Sequence, residues 1–179
     1  HKNGIYEIYV VIGYLKEQFY EWVKKYSDIT LIENPWYAEC NNIASLYVAR
    51  EYLNNAIILD GDQIIRNPVI LHREFTRSGY SCAWTDSATN EWLLTVENGI
   101  VTKCSRTGGD HGWQLFSVSR WTAEDGQRLR KHLELEFLQN ENRSIYWDDV
   151  AMFCHSDEYQ LGVYPISAED LREIDSFTE

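Results

Sequence analysis

Apolar residues fall first in short runs and then at helical spacing. Residues 7–12 (EIYVVI) form a β-branched run stopped by Gly13, the pattern of a strand buried on both faces of a parallel sheet. Over 15–26 the period changes. Leu15, Phe19, Trp22, Val23 and Tyr26 recur with lysines and glutamates between them, which predicts an amphipathic helix. Residues 29–32 predict a second strand. Asn41 and Asn42 can cap a following helix, in which Ile43, Leu46, Tyr47, Ala49 and Arg50 run toward Leu53. Residues 56–59 (AIIL) predict a third strand that ends in Asp60-Gly61-Asp62. Strand, helix, strand, helix, strand in this order argues for an α/β layered fold with right-handed crossovers.

From about residue 80 the strands come at hairpin spacing: 80–85, 91–97 and 100–105, with Asn98-Gly99 between the last two as a strong turn signal. Residues 115–118 predict another strand and 122–138 a helix with Glu124 and Asp125 in its first turn. A helical stretch after Tyr146 within 144–155 and a strand at 161–165 complete the pattern. No repeat, low-complexity run or linker divides the chain, so the expectation is one domain, or most of one, over 1–179.

Composition narrows the functional classes. With 44% hydrophobic and 25% charged residues the 179-residue chain reads as an ordinary globular protein, and no apolar run approaches the roughly 20 residues of a membrane helix. Sixteen Lys and Arg against 28 Asp and Glu give a net charge of −12. That charge repels a phosphate backbone and argues against nucleic-acid binding, while small anions remain accessible through a divalent cation. Cys40, Cys82, Cys104 and Cys154 lie far apart with no C-x-x-C pair, which reads as buried free thiols in a reducing cytoplasm.

Three segments carry candidate chemistry. Asp60-Gly61-Asp62 places two carboxylates at the carboxyl end of a buried strand, where α/β sheets bind ligands and where Mg²⁺ finds oxygen donors; the same residues also build plain turns. Asn90-Glu91-Trp92 and Tyr146-Trp147-Asp148-Asp149 put aromatic rings beside carboxylates. A ring face attracts a cation by about 0.5 to 2 kcal/mol, and a carboxylate supplies the charge that a bound ammonium needs. The plainer alternative makes Trp92 and Trp147 core residues and Asp148 and Asp149 helix caps. His72, His111, His132 and His155 have no partner at ligand spacing, and Gly108-Gly109 reads as a turn. The familiar phosphate-loop, dinucleotide, nucleophile-elbow and zinc-protease motifs are absent.

Taken together, Val11-Ile12-Gly13-Tyr14-Leu15-Lys16-Glu17, Asn41-Asn42 with Ser45-Leu46, Leu59-Asp60-Gly61-Asp62, Asn90-Glu91-Trp92, Tyr146-Trp147-Asp148 and Glu173-Ile174-Asp175-Ser176 resemble the bacterial CTP:phosphocholine cytidylyltransferases. These belong to the sugar-nucleotidyltransferase group. The resemblance implies a GT-A-like α/β fold with a mixed, mostly parallel sheet flanked by helices, and transfer of CMP from CTP to phosphocholine with release of pyrophosphate and with Mg²⁺ as cofactor. Carried over by position, Asp62 and Asp175 would hold the metal, and Asn41, Asn42 and Ser45 would lie near the base. Trp92, Tyr146, Trp147 and Asp148, with Glu91 and Asp149 close by, would surround the quaternary ammonium.

The front departs from that family, which begins with a strand, a glycine-rich phosphate loop and a lysine before the strand seen here at 7–12. The chain opens with His1-Lys2-Asn3-Gly4, and its only methionine is Met152, so it reads as a piece of a longer protein. Strands 7–12 and 56–59 are then expected to lack their common neighbour. A complementing companion polypeptide, a strand exchanged with a second copy or a rearranged sheet is expected to close that gap, and the chain alone is expected to be oligomeric or poorly soluble and to bind CTP weakly or not at all. The alternatives are a nucleotidyltransferase acting on a sugar 1-phosphate, a non-catalytic module binding choline-type cations and, last, a glycosidase using Asp60, Asp62 or Asp148.

Overall fold

In a computed structural model that describes residue 1 and residues 3–174, the β-rich run at the start becomes strand β1 (Ile8–Ile12). It pairs in parallel with β2 (Ile29–Glu33), Ile8 opposite Ile29 and Ile12 opposite Glu33, and helix α1 (Lys16–Val23) makes the crossover. The helix forms as its spacing predicts, but none of its residues is buried. Its rings pack on one another instead: Phe19 meets Trp22 edge-on at 6.3 Å, and Trp22 lies 4.9 Å from Tyr26.

The chain divides into two compact units. The first comprises His1–Asn54 and Ala123–Tyr159. Besides β1, β2 and α1 it holds α2 (Ile43–Val48), a 3₁₀ turn (Arg50–Tyr52), and α3 (Ala123–Glu134), which continues as a π-helical turn (Leu135–Gln139). A short α4 (Trp147–Asp149) likewise runs into a π-helical turn (Val150–Cys154). Its core gathers Ile43, Leu129, Leu133, Phe137, Trp147 and Val150, with Tyr47 stacked on Phe137 at 4.3 Å. Gly126 of α3 is required by close approach, since a Cβ there would stand 2.1 Å from the Leu53 carbonyl oxygen.

The second unit comprises Asn55–Thr122 and the described residues from Gln160 onward. Its sheet is built from β3 (Ala56–Leu59), β5 (Gly79–Thr85), β6 (Leu93–Glu97), β7 (Ile100–Ser105), β8 (Gly112–Trp121) and β9 (Gly162–Pro165). The order is β7-β6-β8-β5-β9, with β3 also paired to β8. Antiparallel pairing dominates where hairpin spacing was read, and β5–β9 is parallel. The β6–β7 turn falls at Asn98-Gly99, both at positive φ (52° and 77°), as a tight hairpin requires. Two short strands carry no periodic signal in the sequence: β4 (Gln63–Ile65) and β10 (Leu171–Glu173), which pair antiparallel. Ile70, Ala83, Phe116, Val118 and Leu171 form this unit's core.

The fold is thus mixed α/β. Among the described residues β1 pairs only with β2 and β3 only with β8, so each keeps one edge without a strand beside it. No described helix is long and apolar enough to cross a membrane.

Candidate active site

Strand β3 delivers Asp60, half-buried, and then Gly61 and Asp62, both exposed, to a turn that feeds β4. A Cβ built on Gly61 would meet no atom within 4 Å, so the span between the two carboxylates is open. Pairing of β10 with β4 brings the distant C-terminal segment to the same place. Glu173 lies opposite Gln63, the Gln63 amide donates to Glu173 Oε1 at 3.1 Å, and the Ile174 N–H donates to the Asp62 carbonyl at 2.9 Å. Asn67 secures the approach: its backbone N–H donates to the Asp170 carbonyl at 2.9 Å, and its side-chain amide to Asp170 Oδ1 at 2.9 Å. Asp175, the second metal carboxylate by resemblance, lies outside the described residues. The exposed Asp62 carboxylate beside an open turn, two residues after half-buried Asp60, offers the hard oxygen donors that Mg²⁺ prefers, so the residues present fit that ion.

In the first unit Trp147 is 2% exposed and Asp148 and Asp149 are buried, whereas Tyr146 is 48% exposed. Asp149 caps α4: its Oδ2 accepts from the Tyr146 N–H at 3.0 Å. Asn42 occupies the N-cap position of α2 but makes no cap bond with its side chain, contrary to the capping expectation. Its Oδ1 instead accepts the Trp147 N–H at 2.9 Å. The Asn41 side chain donates to the Ser144 carbonyl at 3.1 Å and accepts from the Asn42 N–H at 2.7 Å, while the Asn41 N–H donates to the Arg143 carbonyl at 2.8 Å. The structure therefore brings Asn41 and Asn42 together with 143–147. Ser45 Oγ accepts from buried Asn34 at 3.1 Å.

Glu91 and Trp92 stand in the second unit, between two loops joined by reciprocal 3.0 Å bonds between the backbones of Thr89 and Gly109. Glu91 is exposed and Trp92 half-buried, with the Arg106 guanidinium 5.6 Å from its ring centroid. An open crevice of about 420 Å³ is lined by Ala88, Thr89, Asn90, Thr107, Gly109 and Asp110, so the Gly108-Gly109 turn borders a concave surface.

The histidines hold a contact that spacing alone concealed. His132 and His155 stack at 3.8 Å with only 10° between ring planes, and Glu158 Oε1 lies 3.4 Å from His132 Nε2 and 3.8 Å from His155 Nδ1. The three ligand-type atoms lie within 4.8 Å of one another. Near-parallel rings direct their lone pairs along parallel planes, however, so the two imidazoles do not converge on one ion.

No family model matches the chain. A 2-aminoethylphosphonate cytidylyltransferase of Lancefieldella rimae is 30% identical over 179 residues, covering 98% of this chain and 72% of that protein. Choline-phosphate cytidylyltransferases of Streptococcus pneumoniae and Haemophilus influenzae are 29% and 31% identical, each matched over 98% of this chain and 75% of its own length. The solved CTP:phosphocholine cytidylyltransferase from Streptococcus pneumoniae superposes with a TM-score of 0.89 at 29% identity, over 99% of this chain and 76% of that one. The inositol-1-phosphate CTP transferase from T. maritima, at TM-score 0.73 and 16% identity, shares the fold.

Proposed function

The chain belongs to the cytidylyltransferase family of these relatives, and on that premise we propose that it transfers CMP from CTP to phosphocholine, giving CDP-choline and pyrophosphate. A phosphate oxygen of the acceptor attacks the α-phosphorus of CTP; the new P–O bond forms as the bond to the β-phosphate bridging oxygen breaks, and pyrophosphate carries that electron pair away. Such a transfer is catalysed mainly by positioning and charge stabilisation.

Asp62 and Asp175 are the residues to hold Mg²⁺, and the Ile174 amide on the Asp62 carbonyl supports the pairing because it fixes the chain beside Asp62 one residue before Asp175. When bound, the ion neutralises phosphate charge. Asn41, Asn42 and Ser45 are assigned to the base side. By the family resemblance Trp92 and Tyr146 are assigned to the acceptor's ammonium, with Glu91 and Asp148 as counter-charges. Trp147 and Asp149 hold α4 in place. The observation that carries the reading is the match over 99% of the chain to a phosphocholine enzyme. A second acceptor, 2-aminoethylphosphonate, is favoured by the 30% identical relative and offers the same pair of groups, a phosphorus-bound oxygen and a cationic nitrogen.

Pyrophosphate release with CTP, Mg²⁺ and phosphocholine, 2-aminoethylphosphonate or a sugar 1-phosphate tests the proposal. Phosphocholine is expected to give the highest kcat/KM, and Asp62→Asn to lower it by about a hundredfold or more with unchanged circular dichroism. Preference for the sugar phosphate, or release with none of the three by a preparation that binds CTP, overturns it.

A further inference from the structure

We propose that Glu136 is the positioning residue of the segment carrying Tyr146, Trp147, Asp148 and Asp149, holding it from both ends; the inference rests on the acceptor-binding role given to that segment above. Glu136 is 3% exposed and sits in the π-helical turn that follows α3. Its Oε1 accepts from Asn140 at 3.0 Å and from His155 Nε2 at 2.9 Å, and its Oε2 accepts from the Asn142 side-chain amide. The Glu136 carbonyl takes the Asn142 N–H as well, at 2.9 Å. Asn140 and Asn142 stand just before the acceptor segment, and His155 just after the π-helical turn that ends it. One buried carboxylate therefore closes a loop of chain around Tyr146 and α4.

A carboxylate without its donors is costly to bury, and this one is stabilised by three. Only an acceptor-only group with two oxygens can take N–H donors from three residues at once; a glutamine would turn an NH₂ toward one of them. Both π-helical turns, a poorer geometry often found at functional sites, are tied to this contact: one carries Glu136 and the other leads directly into His155. His155 is braced in turn by the His132 ring, whose Nδ1 is 2.8 Å from the Tyr159 hydroxyl.

Glu136→Gln, Asn142→Asp and the double variant test this. Each single change breaks the Glu136–Asn142 arm, by opposing two NH₂ groups or two carboxylates, and the double change restores it with donor and acceptor exchanged. Expected is a rise of about five- to tenfold in the KM for phosphocholine in each single variant, with the KM for CTP within about twofold, and recovery in the double variant. Amide hydrogen exchange over 143–149 should rise in the single variants and fall back in the double, with the β5–β8 sheet unchanged. If both KM values move together, or the double variant adds the losses, Glu136 is a general strut and the proposal fails. If a preparation that binds CTP does not turn over phosphocholine, the functional reading fails, and exchange over 143–149 still decides the positioning role: unaltered protection in Glu136→Gln and Asn142→Asp overturns it.

Discussion

Around Trp147 polar side chains reach in from two other elements, whereas around Trp92 the loops bond chiefly to each other. Asn42 takes the Trp147 N–H, and Glu136 gathers Asn140, Asn142 and His155 at the two ends of the segment. Beside Trp92, Thr89 and Gly109 exchange backbone bonds, Thr89 Oγ1 accepts the Glu91 N–H at 3.1 Å, and a guanidinium covers the ring. Both segments place a tryptophan next to a carboxylate, yet one ring is core and the other is half-exposed. Under the proposed function, a ring buried this deeply acts by holding its neighbours, and contact with the acceptor is left to the half-buried one.

The contrast is broken or sharpened first by truncating the two rings. Trp147→Ala should lower unfolding free energy by about 3–5 kcal/mol, as expected for a large buried ring, and Trp92→Ala by less than about 1.5 kcal/mol. Urea titration reads both, and equal losses would erase the distinction. Next in size are the supporting polar groups. Asn42→Ala removes the acceptor of a buried N–H and should cost about 1–2 kcal/mol, with Asn42→Asp largely restoring it, while Thr89→Val, where water can replace the hydroxyl, should stay within about 0.5 kcal/mol.

The smallest effect expected is on acid sensitivity, and it falls on the Trp147 side. Burial, with the His155 ring beside it, holds His132 below its ordinary value of 6.5. The unfolded chain therefore takes up a proton near pH 6.5 that the native state declines, and stability falls as pH drops through that value. Burial pushes Glu136 upward, but bonds from Asn142, Asn140 and His155 outweigh it and hold the carboxyl below its ordinary 4.5. Its contribution is present above that pH and lost as pH falls through the lowered native value. Melting temperature should fall by about 2 °C between pH 7.5 and 5.5, and His132→Gln should flatten that slope. An unchanged slope removes His132 as its source.

Local pattern was enough for much of the architecture. The run at 7–12 became β1, the spacing over 15–26 became α1, and Asn98-Gly99 became the hairpin turn with both residues at positive φ. These depend on side-chain period and on backbone preferences that act within a few residues. The order of the candidate segments was equally legible, and the family followed from it. Other features had no local signal. The pairing of β4 with β10 joins three-residue strands through partners such as Gln63 and Glu173, 110 positions apart, too short for any period to reveal. The structure likewise turned the Asn42 side chain from α2 to Trp147, joined Glu136 to His155, and made Trp147 core while Trp92 remained half-exposed. Burial and hydrogen-bond partnership belong to groups distant along the chain, and only the folded arrangement sets which of them meet.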